Sequence, residues 1–287
     1  MIRVYFLLLF AFTFTGCEEV DRLLGQSPKK QKIEYSYACL DSSVSGGNMN
    51  RRLEQAGDLI RDLAVSEKSI TDTLQTSYGT AFHEDAVKTK MFVINTDPSI
   101  NRKLNEVLNN LLSVREDPSK IRYIIYALKD TMVNAFTFGG RIYITTAMLK
   151  KCDGRDEILY AIIGHEIGHS EVGHIKATIQ DMELSNKIFG TENGATFFQL
   201  KKLFTASFNQ RNELEADYYG INLTNQLGYD VCAAVSFWKQ MASNENRYNR
   251  VEDFFRSHPF SEMRATCLSA HILANFDRDC GNIKPKI

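Results

Sequence analysis

Residues 162–174 read IIGHEIGHSEVGH. On an α-helix, positions i and i+4 lie on one face, so His165 and His169 can direct two imidazoles at a single ion. Glu166 projects in a neighbouring direction, where it can take a proton from metal-bound water and later deliver it to a leaving amine. Zinc accepts imidazole nitrogen and carboxylate oxygen and keeps an open position in catalytic sites. The stretch therefore predicts a helix that carries two zinc ligands and a catalytic base.

Such a site needs a third ligand, and the position of that ligand distinguishes between enzyme classes. The metzincin pattern HExxHxxGxxH is not met, because Gly173 lies one residue too late and His174 one residue too early. On a continuing helix His174 would point about 180° away from His165. We therefore expect His174 to be solvated or structural.

The better candidate for the third ligand lies in the sequence ELEAD at residues 213–217. Glu213 and Asp217 share one helical face, Glu215 lies nearly opposite, and Ala216 is small enough to let two helices approach. Glu213 can bind the metal, while Asp217 can accept the spare imidazole N–H of a ligand His and fix its tautomer. The alternative is an ordinary acidic helix with both carboxylates solvated.

Several motifs, taken together, resemble the HtpX- and CAAX-prenyl-endopeptidase-type zinc metallopeptidases, which are gluzincins. They are His165-Glu-Ile-Gly-His169, Glu213-Leu-Glu-Ala-Asp217, His258-Pro259 with Arg264, and Asn134-Ala-Phe136 followed by Gly139-Gly140 and Tyr143. The resemblance spans about residues 100–270. The closer likeness is to soluble periplasmic lipoprotein members, because no later apolar stretch approaches the length of a spanning helix. It implies a zinc-dependent endopeptidase that acts on misfolded or misassembled envelope proteins.

The resemblance also implies roles for residues outside the first two motifs. His258 and Arg264 should lie near the open side of the zinc, where a donor stabilises the charge that develops on an attacked peptide carbonyl. Asn134, Ala135 and Phe136 should form an edge strand with which an extended substrate pairs. The alternatives are a core or capping His258, a salt-bridged Arg264 and a plain sheet element. A further hypothesis is that His258 occupies the fourth zinc position in a resting state.

The N-terminus is typical of an exported lipoprotein. A positive start with Arg3 precedes an apolar run over residues 4–14, which is too short to span a bilayer comfortably. Phe14-Thr-Gly-Cys17 resembles a bacterial lipobox, with Phe14 where Leu is usual, and cleavage would leave Cys17 to carry acyl chains. An uncleaved apolar N-terminus or a plain secretory signal is the alternative. The predicted organisation is a signal peptide over 1–16, a tether over 17–32, a helical segment over 33–98 and a metallopeptidase domain over 99–287.

Periodicity and charge describe the rest of the chain. The net charge of −1 suggests neither a nucleic-acid partner nor a strongly basic membrane-binding face. Helices are predicted over 50–75, 99–114, 155–182, 209–226, 231–241 and 261–274, and short strands over 122–128, 132–136 and 141–145. This order predicts an α+β fold, a mainly helical zincin-like domain with a small sheet. Residues 177–208 are either a mobile lid or an ordinary packed helix with a loop.

Six cysteines occur, at positions 17, 39, 152, 232, 267 and 280. If Cys17 is lipidated, the others lie in an oxidising compartment, where two disulfides and one free thiol can form. Cys267–Cys280 is a plausible local pair, although the sequence alone does not define the pairing.

The sequence predicts a protease that binds one Zn²⁺ per chain. Two other functions are alternatives to this interpretation. In a chaperone-like or scaffolding lipoprotein the zinc would only stabilise the fold. Glu166 argues against that function, because a structural zinc site needs no base. Zinc-dependent hydrolysis of a small molecule is the weaker alternative, because no compact binding pocket is predicted. The expected partners are polypeptide substrates and, through the lipid, a membrane.

Overall fold

The computed structural model describes residues 32–41, 61–152, 154–189, 208–243, 258 and 262–281. The chain separates into two units, Met1–Glu34 and Tyr35–Ile287, and every element named here lies in the second. In chain order the elements are α1 Ala38–Asp41, α2 Asp72–Lys88, α3 Pro98–Ser113, β1 Ile124–Leu128, β2 Ala135–Phe138, β3 Arg141–Thr145, α4 Thr146–Cys152, α5 Asp156–Glu171, α6 His174–Phe189, α7 Gln210–Gln226, α8 Val231–Ser243 and α9 Glu262–Phe276. The predicted fold, mainly helical with a small sheet, is confirmed. The predicted domain boundary at residue 98 stays a prediction.

Two helix predictions were wrong in part. The helix expected over 155–182 is divided, because Gly173 takes a φ of +93°, a left-handed conformation that ends α5 and lets α6 begin at His174. The helix expected over 50–75 falls partly outside the described residues. In its described part residues 61–64 are helical as expected, but a 3-10 turn, Glu67–Ser69, then precedes α2. The Thr71 side chain caps the first turn of α2 by accepting from the Leu74 N–H.

The sheet has the strand order β1-β3-β2, with β1 parallel and β2 antiparallel to β3. The outer edge of β1 is covered by residues 93–95, since Ile94 bridges to Leu128 and the Asn95 N–H donates to the Ala127 carbonyl at 2.8 Å. No strand in the described ranges pairs with the outer edge of β2. The structure therefore leaves β2 as an edge strand.

Helix α5 lies at the centre of the domain, between the sheet and α7. From Ile158 to Ile163 it is apolar all round, which is typical of a buried helix. The backbones of α5 and α7 touch at Gly164 and Gly220, where a Cβ on Gly220 would lie 2.5 Å from the His165 nitrogen. Only glycines allow this approach, and it brings the two sequence motifs against one another.

The disulfides differ from the local pair that the sequence suggested. Cys39 pairs with Cys267, and Cys232 pairs with Cys280, so the expected Cys267–Cys280 bond was wrong. Cys267 of α9 faces the N-terminal α1, whereas Cys280 follows α9 and reaches α8. Cys152 is unpaired and buried. The described part of the chain thus contains two disulfides and one free thiol, as the sequence predicted.

Two further expectations concern segments that are only partly described. Helix α6 continues to Phe189, and the following residues of the predicted lid, 190–207, lie outside the described ranges. Cys17 and the predicted signal peptide also lie outside them. Among the helices that the structure describes, none combines the length and the apolar character that crossing a bilayer requires.

Candidate metal centre

Four buried side chains from α5, α7 and the chain before α9 converge on one point. His165, His169, Glu213 and His258 each offer a ligand atom, and these atoms all lie within 4.8 Å of one another. The two histidine Nε2 atoms are 3.0 Å apart, and the Glu213 oxygens lie 3.4 Å and 3.5 Å from them. Tetrahedral zinc with bonds of about 2.0–2.1 Å separates its ligand atoms by roughly 3.3 Å. The spacing of the donor atoms therefore fits zinc.

The charges of these groups also suit metal binding. Burial holds the pKa of His169 well below its usual value, so its imidazole is neutral, as a ligand must be. Burial alone would raise the pKa of the Glu213 carboxyl, but the charges of His258 and Arg264 hold it well below its usual range. A neutral imidazole and an ionised carboxylate are the forms that coordinate a cation.

Glu166 is fully buried beside the cluster, and both of its carboxylate oxygens lack a hydrogen-bond partner within the described part of the chain. The Nε2 of His258 is 3.5 Å from one of them. Burial raises the pKa of the Glu166 carboxyl. A buried carboxylate without partners is costly, and a proton or water at the adjacent metal position would satisfy it. A buried Glu166 carboxyl group with no hydrogen-bond partner among the described residues therefore indicates that the cluster suits a catalytic zinc rather than a structural one.

Asp217 lies where the sequence placed it, behind the first ligand. Its Oδ1 is 2.9 Å from His165 Nδ1, so the imidazole N–H donates to the carboxylate and Nε2 faces the cluster. The other oxygen, Oδ2, accepts from Nε and Nη2 of Arg264 at 3.0 Å and 2.8 Å. His165 is thus held by a carboxylate that is itself anchored.

Arg264 also contacts a residue of the cluster. Its third nitrogen, Nη1, is 2.9 Å from a Glu213 oxygen, so the buried guanidinium spans the carboxylates of Glu213 and Asp217. These contacts agree with the salt-bridge alternative. The role near the open side of the zinc that the resemblance implied for Arg264 stays a prediction.

His258 is part of the cluster. Its Nδ1 lies 3.1 Å and 3.3 Å from the Glu213 oxygens and 3.2 Å from His165 Nε2. Burial by itself would lower the pKa of His258, but the charges of Glu213 and Glu166 raise it. His258 therefore lies in the cluster, and its predicted catalytic role there stays a prediction.

The predicted substrate strand borders the metal helix. Ala135 and Phe136 belong to β2, Asn134 precedes it, and Thr137 Oγ1 lies 3.4 Å from Ser170 Oγ on α5. The Oδ1 of Asn134 is buried and has no hydrogen-bond partner among the described side chains and backbone. The strand β2, whose outer edge pairs with no strand in the described ranges, therefore packs against the helix that carries His165 and His169.

Sequence reasoning missed a second support of the ligands. His174 Nδ1 lies 3.0 Å from His169 Nδ1, and His174 Nε2 lies 3.1 Å from a Glu215 oxygen. His174 was expected to point away from the site because its helix was assumed to continue past Gly173, and Glu215 because it lies opposite Glu213 on α7. That glycine, directly before His174, was the available signal for a helix end.

Comparison with known proteins agrees with this geometry. The sequence profile described as Peptidase family M48 matches residues 98–272, more than half of the chain. Mitochondrial metalloendopeptidase OMA1 of Schizosaccharomyces pombe is 26% identical over 169 residues, which is 56% of this chain and 50% of that protein. The β-barrel assembly-enhancing protease of Yersinia pestis is 22% identical over 253 residues, 78% of this chain and 49% of that protein. Metalloprotease LoiP of Escherichia coli K12 is 30% identical over 168 residues, 54% of this chain and 64% of that protein.

The chain thus spans about half to two thirds of the length of these curated relatives. The matched region contains the cluster, the edge strand and Arg264. Zinc is the metal of this peptidase family, in agreement with the donor set. From the profile match and the converging ligands, we conclude that the chain belongs to peptidase family M48.

Proposed function

We propose that this protein is a zinc-dependent endopeptidase in which His165, His169 and Glu213 hold the metal and Glu166 is the catalytic base. The observation that carries the proposal is the buried Glu166 carboxylate, which has no hydrogen-bond partner among the described residues and lies beside three convergent ligands. A structural zinc site would leave such a group without a purpose.

Each residue of the proposed site has its own role in the reaction. Zinc, when bound, polarises the scissile carbonyl and makes a water acidic enough to act as nucleophile. Glu166 accepts the proton of that water and delivers it to the leaving amine. Asp217 fixes the tautomer of His165, and Arg264 holds Glu213 and Asp217 in place. The edge of β2 would bind an extended substrate through backbone hydrogen bonds.

We infer that the substrates are misfolded or misassembled proteins of the cell envelope. Backbone pairing at β2 recognises an extended segment with little regard to its side chains, and such segments are exposed in unfolded chains. Relatives from several bacteria bear the name β-barrel assembly-enhancing protease. The unpaired strand edge and that name both support a role in envelope protein quality control.

The N-terminal sequence supports attachment to a membrane through a lipid on Cys17. The apolar run and the following small residues resemble a lipoprotein signal, and several acyl chains on one Cys anchor stably. We expect Cys17→Ser to remove incorporation of labelled fatty acid and to release the protein from the membrane fraction. A native chain that incorporates no fatty acid would contradict the anchor and leave the peptidase assignment untouched.

His258 suggests a resting state in which the fourth zinc position is closed by the protein. Its Nδ1 is as close to Glu213 and His165 as these two ligands are to each other. We expect X-ray absorption of the substrate-free, zinc-loaded protein to report three imidazoles on the metal, and His258→Phe to report two. Two imidazoles in the native protein would exclude the closed state.

The proposed activity is tested by degradation of an unfolded protein such as casein. We expect a chelator to stop degradation by the full-length chain and zinc to restore it, because the metal polarises the carbonyl and supplies the nucleophile. Degradation that persists in chelator, after the metal content has fallen below one zinc per hundred chains (roughly 1%), would refute the proposal.

A further inference from the structure

A chain of polar groups begins at His169 and runs away from the ligand cluster. His169 Nδ1 lies 3.0 Å from His174 Nδ1, and His174 Nε2 lies 3.1 Å from a Glu215 oxygen. The other oxygen of Glu215 accepts from Arg211 Nε at 3.0 Å. Phe208 stacks on the His169 ring with centroids 4.2 Å apart, and His174 is buried. The inner part of this chain is therefore sheltered from water.

Metal binding determines which nitrogen of each imidazole in this hydrogen-bonded series carries a proton. His169 Nε2 faces His165 Nε2 at 3.0 Å, so Nε2 is the ligand atom and Nδ1 carries the proton. The buried N–H of His169 is satisfied only if His174 Nδ1 is an unprotonated acceptor. His174 then carries its proton on Nε2, and the Glu215 carboxylate accepts it. Each imidazole N–H in the series then has one acceptor, and the hydrogen bonds all run from His169 towards Glu215.

The break in the helix makes this contact possible. On an unbroken α-helix, His174 would lie about 140° around the axis from His169 and would face elsewhere. Because Gly173 is left-handed, the chain turns between α5 and α6 and returns the His174 ring to the end of α5. Glu215 meets it from α7, on the helix face opposite to Glu213 and Asp217.

Resting on the zinc site proposed above, we propose that His174 and Glu215 are a positioning pair for the ligand His169, which they hold in its Nδ1–H tautomer with Nε2 directed at the metal. The two histidine ligands are thus supported differently. His165 donates directly to Asp217, whereas His169 reaches its carboxylate through a second imidazole. Partners of this kind orient a ligand and increase its basicity, and their loss costs about 10–100-fold in metal affinity.

A matched pair of substitutions separates hydrogen bonding from packing. Asn and Leu have similar size, but only His174→Asn offers an oxygen close to where Nδ1 stood. In the full-length chain we expect His174→Leu to raise the zinc dissociation constant about 10–100-fold in chelator competition, and His174→Asn to restore most of the affinity. The control is His271→Leu, which removes another buried imidazole, hydrogen-bonded to Asn222, and should bind zinc like the native chain.

The tautomer of His174 provides a second test that needs no variant. In long-range ¹H–¹⁵N spectra of the zinc-loaded native protein, we expect His174 as a neutral imidazole protonated at Nε2. An Nδ1–H or doubly protonated ring, or equal zinc affinities of native and His174→Leu chains, would overturn the pair and leave the zinc site intact. A native chain that binds no zinc would instead overturn the proposed function, and the pair with it.

Discussion

Replacing Glu166 by Gln is expected to lower kcat/KM for an unfolded protein substrate about 10²- to 10⁴-fold. The amide has the size of the carboxylate but cannot accept the proton of the attacking water. Because Glu166 lies beside the ligands and its oxygens have no hydrogen-bond partner within the described residues, the variant should fold and bind zinc like the native chain. The measurement is initial-rate degradation of labelled casein at equal zinc occupancy.

Glu157→Gln, at the first turn of the same helix and partly exposed, is the matched control and should keep native activity. The pair of variants also separates proteolysis from a scaffolding function. If Glu166→Gln supports envelope assembly as well as the native protein does, peptide hydrolysis is not what the cell requires of this chain. Undiminished casein degradation by Glu166→Gln would remove Glu166 as the base.

Replacing Arg264 by Met is expected to destabilise the metal-free protein by about 3–5 kcal/mol. Arg264 is 2% exposed and pairs with two carboxylates, Glu213 and Asp217, which are also buried. Without the guanidinium, two carboxylates would remain close together in the interior and would have to become protonated or hydrated. The measurement is the free energy of unfolding in urea, with chelator present and disulfides intact.

Arg211→Met is the control for this substitution. Its side chain is 52% exposed and pairs with Glu215 on the outer part of α7, and exposed pairs of this kind contribute at most about 1 kcal/mol. A loss from Arg264→Met no larger than that from Arg211→Met would show that the inner ion pairs do not support the fold.

The metal-binding motifs and the main helices were predictable because their signals are local. The i, i+4 spacing of His165 with His169, and of Glu213 with Asp217, fixes which side chains share a helix face wherever the helix packs. Apolar periodicity gave α3, α7, α8 and α9 to within about two residues at each end. Both kinds of signal depend on residues that are neighbours along the chain.

Contacts between distant segments were harder to predict. The sequence did not show which carboxylates Arg264 contacts, and only the packing of α9 against α7 brings its guanidinium to Glu213 and Asp217. The disulfide partner of Cys267 is likewise far along the chain, at Cys39. The left-handed φ of Gly173 ends α5, so the residues of α6 do not lie on the faces that one continuous helix would give them. Apolar periodicity does not detect such a break.

The sequence by itself therefore determined the candidate ligands, the candidate base, the helix faces that present them and the α+β class. Tertiary structure alone decided which carboxylate supports which imidazole, through Asp217 for His165 and through His174 for His169. The physical reason is that helical spacing sets direction within one turn or two, whereas the contact between α5 and α7 depends on how closely two backbones can approach.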